Sequence, residues 1–177
     1  MRHLAIYPLI PLVASLGLIR PAHIDDPEQV PDPQNVVERF KVAKEGDCLL
    51  LPVKLKGKSY LFLLDTGASL NVFDSSIPLG KPNGVHRVQT PSGPVRLPHY
   101  AAPEASVGGL SLRTDDPVFA VDYSKFRQVS GQEIYGMVGM PFLRQHVVQV
   151  DFDKGELLIL KAAGSDCGHD CLNVWLL

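Results

Sequence analysis

The chain lacks an excess of charge of either sign and lacks a long hydrophobic segment. Its 177 residues include 17 basic and 19 acidic ones, so the formal net charge is -2. Without a basic excess, the sequence disfavours nucleic acid or an anionic membrane surface as a main partner. The apolar run at residues 4–19 is shorter than the roughly 20 residues that a membrane-spanning helix needs.

Several motifs of common enzyme classes are also missing. The sequence contains no glycine-rich phosphate-binding loop, no internal repeat and no long amphipathic helix pattern. Its six histidines are scattered, and no spacing marks one of them as a ligand or a base. We therefore expect neither a cofactor nor a resident metal ion in the main domain.

Cysteine is scarce and odd in number, with Cys48, Cys167 and Cys171 as the three thiols. Cys167 and Cys171 flank His169 near the C-terminus and could form a disulfide. A metal site that uses these three residues is the alternative, although the spacing matches no strong zinc pattern. Cys48 begins an apolar run and is predicted to be a small buried hydrophobic residue.

Composition divides the chain into four segments. Residues 1–19 have the flanks and length of a signal peptide; an uncleaved membrane anchor and a misassigned start codon are the alternatives. Residues 20–35 are rich in Pro, Asp and Glu and are predicted to be a linker. The folded domain is predicted at 36–160, with a cysteine-containing tail at 161–177. The leader predicts an exported protein, periplasmic or secreted, or one that is anchored and faces outside.

The domain is predicted to be all-β. The chain contains 15 glycines and 15 prolines, and its apolar runs are short and rich in β-branched and aromatic residues. Hairpin turns are predicted at residues 56–58, 91–94 and 154–155. One short helix is predicted at 141–146, with a proline in its first turn, and residues 128–132 are predicted to be a loop.

The main functional signal lies at residues 61–73, which read LFLLDTGASLNVF. Here an apolar strand runs directly into Asp65. Burying an unpaired carboxylate costs several kcal/mol, so such a group is usually paired, hydrogen-bonded or protonated. A structural aspartate that caps a turn is the alternative reading.

A second sequence segment supports a functional role for Asp65. Residues 134–143 read IYGMVGMPFL, and a hairpin with a glycine-bearing tip lies between this segment and Asp65. In this order of elements, residues 36–160 resemble the retropepsin-like aspartic proteases, single-domain relatives of pepsin. The resemblance implies a single-lobe closed β-barrel with one short helix that acts as a two-fold homodimer.

The resemblance also implies a function and a set of site residues. It predicts an aspartic endopeptidase that cleaves an extended polypeptide with a water activated by paired carboxylates. Because the chain has one Asp-Thr-Gly motif, the second carboxylate would be Asp65 of another copy. A peptide- or protein-binding module without proteolysis is the alternative. The implied catalytic residues are Asp65, Thr66 and Gly67, and the implied substrate-binding residues are Ala68, Ser69, Ser92 and Gly93.

Overall fold

The computed structural model describes residues 33–42, 48–90 and 92–161, together with the backbone of residues 174–176. The predicted leader, most of the predicted linker, and the tail residues Cys167, His169 and Cys171 lie outside the described residues. In the parts of the chain that the structure describes, no helix has the length and apolarity needed to cross a membrane.

Short strands dominate the described residues, as the composition predicts. A 3-10 turn at Pro33–Asn35 comes first. The strands are β1 (Val36–Lys41), β2 (Leu50–Leu55), β3 (Lys58–Leu64), β4 (Val72–Asp74), β5 (Gly84–Thr90), β6 (Gly93–Tyr100), β7 (Ala105–Val107), β8 (Leu110–Ser111), β9 (Val118–Val121), β10 (Ile134–Val138), β11 (Val147–Asp151), β12 (Glu156–Leu160) and β13 (Val174–Leu176). The helices are α1 (Ser124–Ser130) and α2 (Met140–Leu143).

The described strands form two sheets. The larger has nine strands in the order β5-β6-β9-β4-β10-β3-β2-β7-β8, and the smaller has four in the order β1-β12-β11-β13. No closed barrel is found among the described strands, because β5 and β8 stand at the two ends of the larger sheet. The mostly β class is confirmed, whereas the predicted closed barrel is replaced by a sheet with two free edges.

The core contains buried side chains from both sheets. Along β2, the side chains of Leu51, Val53 and Leu55 point inward and are buried. Phe62 and Phe73 pack edge to face with ring centroids 5.0 Å apart. This packing needs the glycine at position 136, because a Cβ there would lie 2.3 Å from a Phe62 ring carbon.

The structure differs from the local predictions at two further places. Residues 128–130, predicted as loop, belong to α1, which ends where Gly131 adopts a left-handed conformation with φ 67°. Cys48, predicted to be buried, is an exposed free thiol. Cys48 precedes β2, so the inward and outward alternation of that strand does not place its side chain in the core. The short helix predicted at 141–146 is present as α2, which begins one residue earlier, at Met140, and ends at Leu143.

The predicted tail contributes a strand. Val174–Leu176 runs parallel to β11, and its backbone forms one edge of the four-stranded sheet.

Candidate active site

Asp65 lies at the C-terminal end of β3, where the sheet brings three strands together. β10 lies between β3 and β4, parallel to the first and antiparallel to the second. The turn that carries Asp65 therefore connects the two neighbours of β10 across its C-terminal end. The Asp65 N–H donates to the Val138 carbonyl at 3.0 Å, which ties the turn to that strand.

Backbone hydrogen bonds orient the Asp65 carboxylate. The Gly67 N–H donates to Asp65 Oδ1 at 2.8 Å, and the Ala68 N–H donates to the Asp65 carbonyl at 3.3 Å. A Cβ at position 67 would lie 3.2 Å from Oδ1, which is tighter than most such contacts, so glycine suits this approach. Within the described residues, Oδ2 has no hydrogen-bond partner.

The turn is more exposed than the sequence predicts. Asp65 and Ala68 are half-buried, while Thr66, Gly67 and Ser69 are exposed. The expectation of a buried carboxylate is therefore not met in the single chain. The apolar strand buries the residues before Asp65, but nothing among the described residues covers the outer side of the turn.

Two hydrogen bonds donated by backbone N–H groups support the turn from the side of α2. The Met140 N–H donates to the Ala68 carbonyl at 2.8 Å, and the Gly139 N–H donates to the Asn71 side-chain oxygen at 2.9 Å. A Cβ at Gly139 would lie 2.3 Å from the Leu70 carbonyl oxygen and 2.5 Å from that of Ala68. The glycine before α2 thus lets β10 end directly against the Asp65 turn.

A buried ion pair holds the next part of the chain, and the sequence analysis did not identify it. Asp74 is 1 % exposed and accepts hydrogen bonds from Ser76, from the Tyr123 N–H at 2.8 Å and from Arg127 Nη1 at 2.9 Å. Burial acts to raise the pKa of Asp74, but these hydrogen bonds outweigh it and lower the pKa below the ordinary 3.8. An acid at the end of the apolar strand VFD was the signal that could have revealed this carboxylate.

Arg127 links that carboxylate to β10. Its Nη1 also donates to the Ile134 carbonyl at 3.0 Å, and its guanidinium lies 4.6 Å from the centroid of the Tyr135 ring. The arginine therefore connects α1 with both β4 and β10, the strands next to the Asp65 turn.

The charge of the Asp65 carboxylate affects the pKa of Tyr123. Burial, followed by the carboxylates of Asp65 and Asp74, raises the pKa of Tyr123 to about 12. The phenol hence stays protonated through the pH range in which proteins are normally handled. Sequence reasoning missed this residue, because only the fold brings it into the field of Asp65.

The remaining predicted residues, Ser92 and Gly93, lie at the end of the β5–β6 hairpin. Gly93 has φ 110°, and its carbonyl accepts a hydrogen bond from Thr90 Oγ1 at 2.6 Å. No hydrogen bond between described residues joins this hairpin end to the Asp65 turn. The structure thus brings Asp65, Thr66, Gly67, Ala68 and Ser69 together in one turn and places Ser92 and Gly93 on a separate hairpin.

Metal ligands do not gather in this region. Across residues 33–42, 48–90 and 92–161, no group of three or more His, Cys, Asp and Glu side chains is placed to hold a metal ion.

Comparison with known proteins assigns the family. The sequence pattern of the aspartyl protease family matches residues 51–142, a range that contains the Asp65 turn, the β5–β6 hairpin and β10. A search of curated proteins found no match. The family match favours peptide hydrolysis over a role limited to binding. It confirms the resemblance drawn from the Asp-Thr-Gly segment, and the chain belongs to the aspartyl protease family.

Proposed function

We propose that this protein is a homodimeric aspartic endopeptidase in which Asp65 of each subunit supplies one catalytic carboxylate. The observation that carries the proposal is the geometry of the turn. One oxygen of Asp65 is fixed by the Gly67 amide, and the other has no hydrogen-bond partner among the described residues, in a turn where Thr66 and Gly67 are exposed. The turn lies within the residues that match the aspartyl protease family.

The need for a second subunit follows from the chemistry. Activation of a water by this mechanism takes two carboxylates, and the chain has one Asp-Thr-Gly motif. No other Asp or Glu side chain among the described residues hydrogen-bonds to Asp65. Exposed Thr66 and Gly67 leave a surface on which a symmetric copy of the same turn can pack.

In the proposed dimer, the two carboxylates share one proton, because two negative charges at such short range cannot both be stable. The ionised carboxylate removes a proton from the water, which attacks the carbonyl carbon of the peptide bond. The protonated carboxylate donates to the carbonyl oxygen, and a proton is delivered to the departing nitrogen as the C–N bond breaks. The pair titrates as a unit, so neither apparent pKa belongs to one subunit.

The neighbouring residues bind the substrate in this proposal. Ala68 leaves space beside the carboxylates, and Ser69 faces the exposed side of the turn. The β5–β6 hairpin, with Ser92 and Gly93 at its end, closes over an extended polypeptide and excludes water. The substrate backbone pairs as an added strand, and its main-chain hydrogen bonds supply affinity.

The test compares the full-length chain with its Asp65→Asn variant on a diverse peptide library, with mass-spectrometric detection from acid to neutral pH. We expect cuts by the wild type that the variant does not make, and both proteins should be folded. A folded, dimeric wild type that cuts no peptide would contradict the proposal and favour the binding module.

A further inference from the structure

The β5–β6 hairpin carries charge of one sign. Residues 84–100 contain two arginines and two histidines but no aspartate or glutamate, although the whole chain has a formal net charge of -2. Positive charge is therefore concentrated on this hairpin in a chain that is otherwise acidic. Such local concentration attracts an anionic partner.

The two arginines face each other. Arg87 and Arg96 are directly opposite in the antiparallel register, and both are exposed. Side chains at opposed positions have Cβ atoms about 4.5–5.5 Å apart, and like charges there destabilise the pair. Neither arginine forms an ion pair with a described residue, whereas Arg39, Arg127 and Arg144 each pair with a carboxylate. A carboxylate from another molecule would relieve the repulsion.

The other face of the hairpin leads back to the Asp65 strand. His86 and His99 stack there with ring centroids 4.5 Å apart and an interplanar angle of 14°. In register across the sheet, His99 is followed by Phe119, Val72, Met137 and Leu63, and Leu63 lies two residues before Asp65. Strand alternation therefore places Arg87 and Arg96 on one face of the hairpin and the stacked His86 and His99 on the other.

The hairpin also has a free edge for an extended chain. β5 ends the order of the nine-stranded sheet, and its described pairing is with β6 alone. A polypeptide strand added at this edge would place every second side chain on the same face as Arg87. A strand with acidic side chains at those positions matches both the exposed edge and the charge.

We propose that the substrate is an acidic polypeptide and that Arg87 and Arg96 bind its carboxylate side chains at the outer face of the hairpin, away from the segment that is cleaved. This assignment rests on the proposed endopeptidase function, since it names the chemical class of that enzyme's substrate. The bound carboxylate accepts hydrogen bonds from both guanidinium groups, which favour carboxylate geometry.

The test measures binding separately from cleavage. The full-length Asp65→Asn chain is titrated with a labelled twelve-residue peptide that has an apolar centre and two glutamates on each side, and with its glutamine counterpart. We expect the glutamate peptide to bind about fivefold more tightly at low salt, the range for exposed ion pairs. Adding Arg87→Gln and Arg96→Gln should remove the difference. Adding Arg113→Gln instead, an exposed arginine just after the opposite edge strand, should preserve it.

A charge reversal provides a gain-of-function check. Arg87→Glu with Arg96→Glu should prefer a lysine version of the peptide, which a merely misfolded variant would not do. Equal binding of glutamate and glutamine peptides by the folded parent would overturn the assignment. So would binding to vesicles with anionic lipids that depends on the two arginines while the peptides are not distinguished. If the predicted peptide preference appears but the wild type cuts nothing, the peptidase proposal fails and the acidic recognition stands as peptide binding.

Discussion

Asn71 accepts a hydrogen bond from the backbone N–H of Gly139 at 2.9 Å, and both residues are buried. This contact joins the start of β4 to the end of β10. The Asp65 turn is held at the same place, because the Met140 N–H donates to the Ala68 carbonyl. The side-chain amide of Asn71 thus helps to set the position of the catalytic candidate without contacting it.

Replacing Asn71 should therefore destabilise the protein. Asn71→Ala leaves the buried Gly139 N–H without a partner, which costs about 1–3 kcal/mol in the free energy of unfolding. The buried Nδ2 of Asn71 has no hydrogen-bond partner among the described residues, which is itself unfavourable. Because Asn71→Ala also removes this group, we expect a loss in the lower part of that range. Urea denaturation measures the change, and exposed Asn83→Ala is the matched control, expected to stay within about 0.5 kcal/mol. Equal losses in the two variants would contradict this account of Asn71.

Gly139→Ala should lower the rate of peptide cleavage even in the fraction of the protein that is folded. The added methyl group would lie 2.3 Å from the Leu70 carbonyl oxygen, so the backbone of the turn has to move. A displacement of about 1 Å at a catalytic group can reduce the rate roughly 100-fold. Steady-state cleavage of the best library peptide checks the rate.

Gly80→Ala serves as the control for Gly139→Ala. This glycine has φ +94° and open space around it, so alanine is strained there without touching the turn. The control should lose some stability and keep its activity once folded. A folded Gly139→Ala variant with the wild-type rate would argue against the turn support described above.

The Asp74–Arg127 pair should make the free energy of unfolding depend on pH in the acidic range. The folded-state pKa of Asp74 is below the ordinary 3.8, so its stabilisation is present above about pH 4 and is lost as the pH falls through the folded pKa. Asp74→Asn should lower the free energy of unfolding at neutral pH by about 3 kcal/mol, because the partly buried Arg127 then lacks its negatively charged partner. Urea denaturation between pH 3 and 7 should show that the free energy of unfolding falls less steeply with decreasing pH in the variant than in the wild type. Parallel pH curves would mean that Asp74 contributes nothing to this dependence.

The local sequence predicts the turns and hairpins well, because their signals are short. The Asp-Thr-Gly turn follows its apolar strand, and Lys56–Gly57 and Lys154–Gly155 lie between paired strands. These features depend on residues that are close in the chain, so composition and turn chemistry are sufficient.

The supporting contacts could not be predicted in this way. Asn71 and Gly139 are 68 positions apart, and Asp74 and Arg127 are 53 apart. Their pairing depends on β10 lying between β3 and β4, which no local pattern encodes. The family resemblance predicts a closed barrel, whereas the observed order of strands depends on long-range pairing.

The most direct test of the central claim uses mixed dimers. Wild-type and Asp65→Asn chains with different tags are mixed, and the heterodimer is purified through both tags and assayed at once. If each subunit supplies one carboxylate, the heterodimer has a single Asp65 and should cleave no peptide, while the wild-type dimer purified in the same way remains active. A heterodimer with half the activity of the wild-type dimer would show that one chain holds a complete site and would contradict the account.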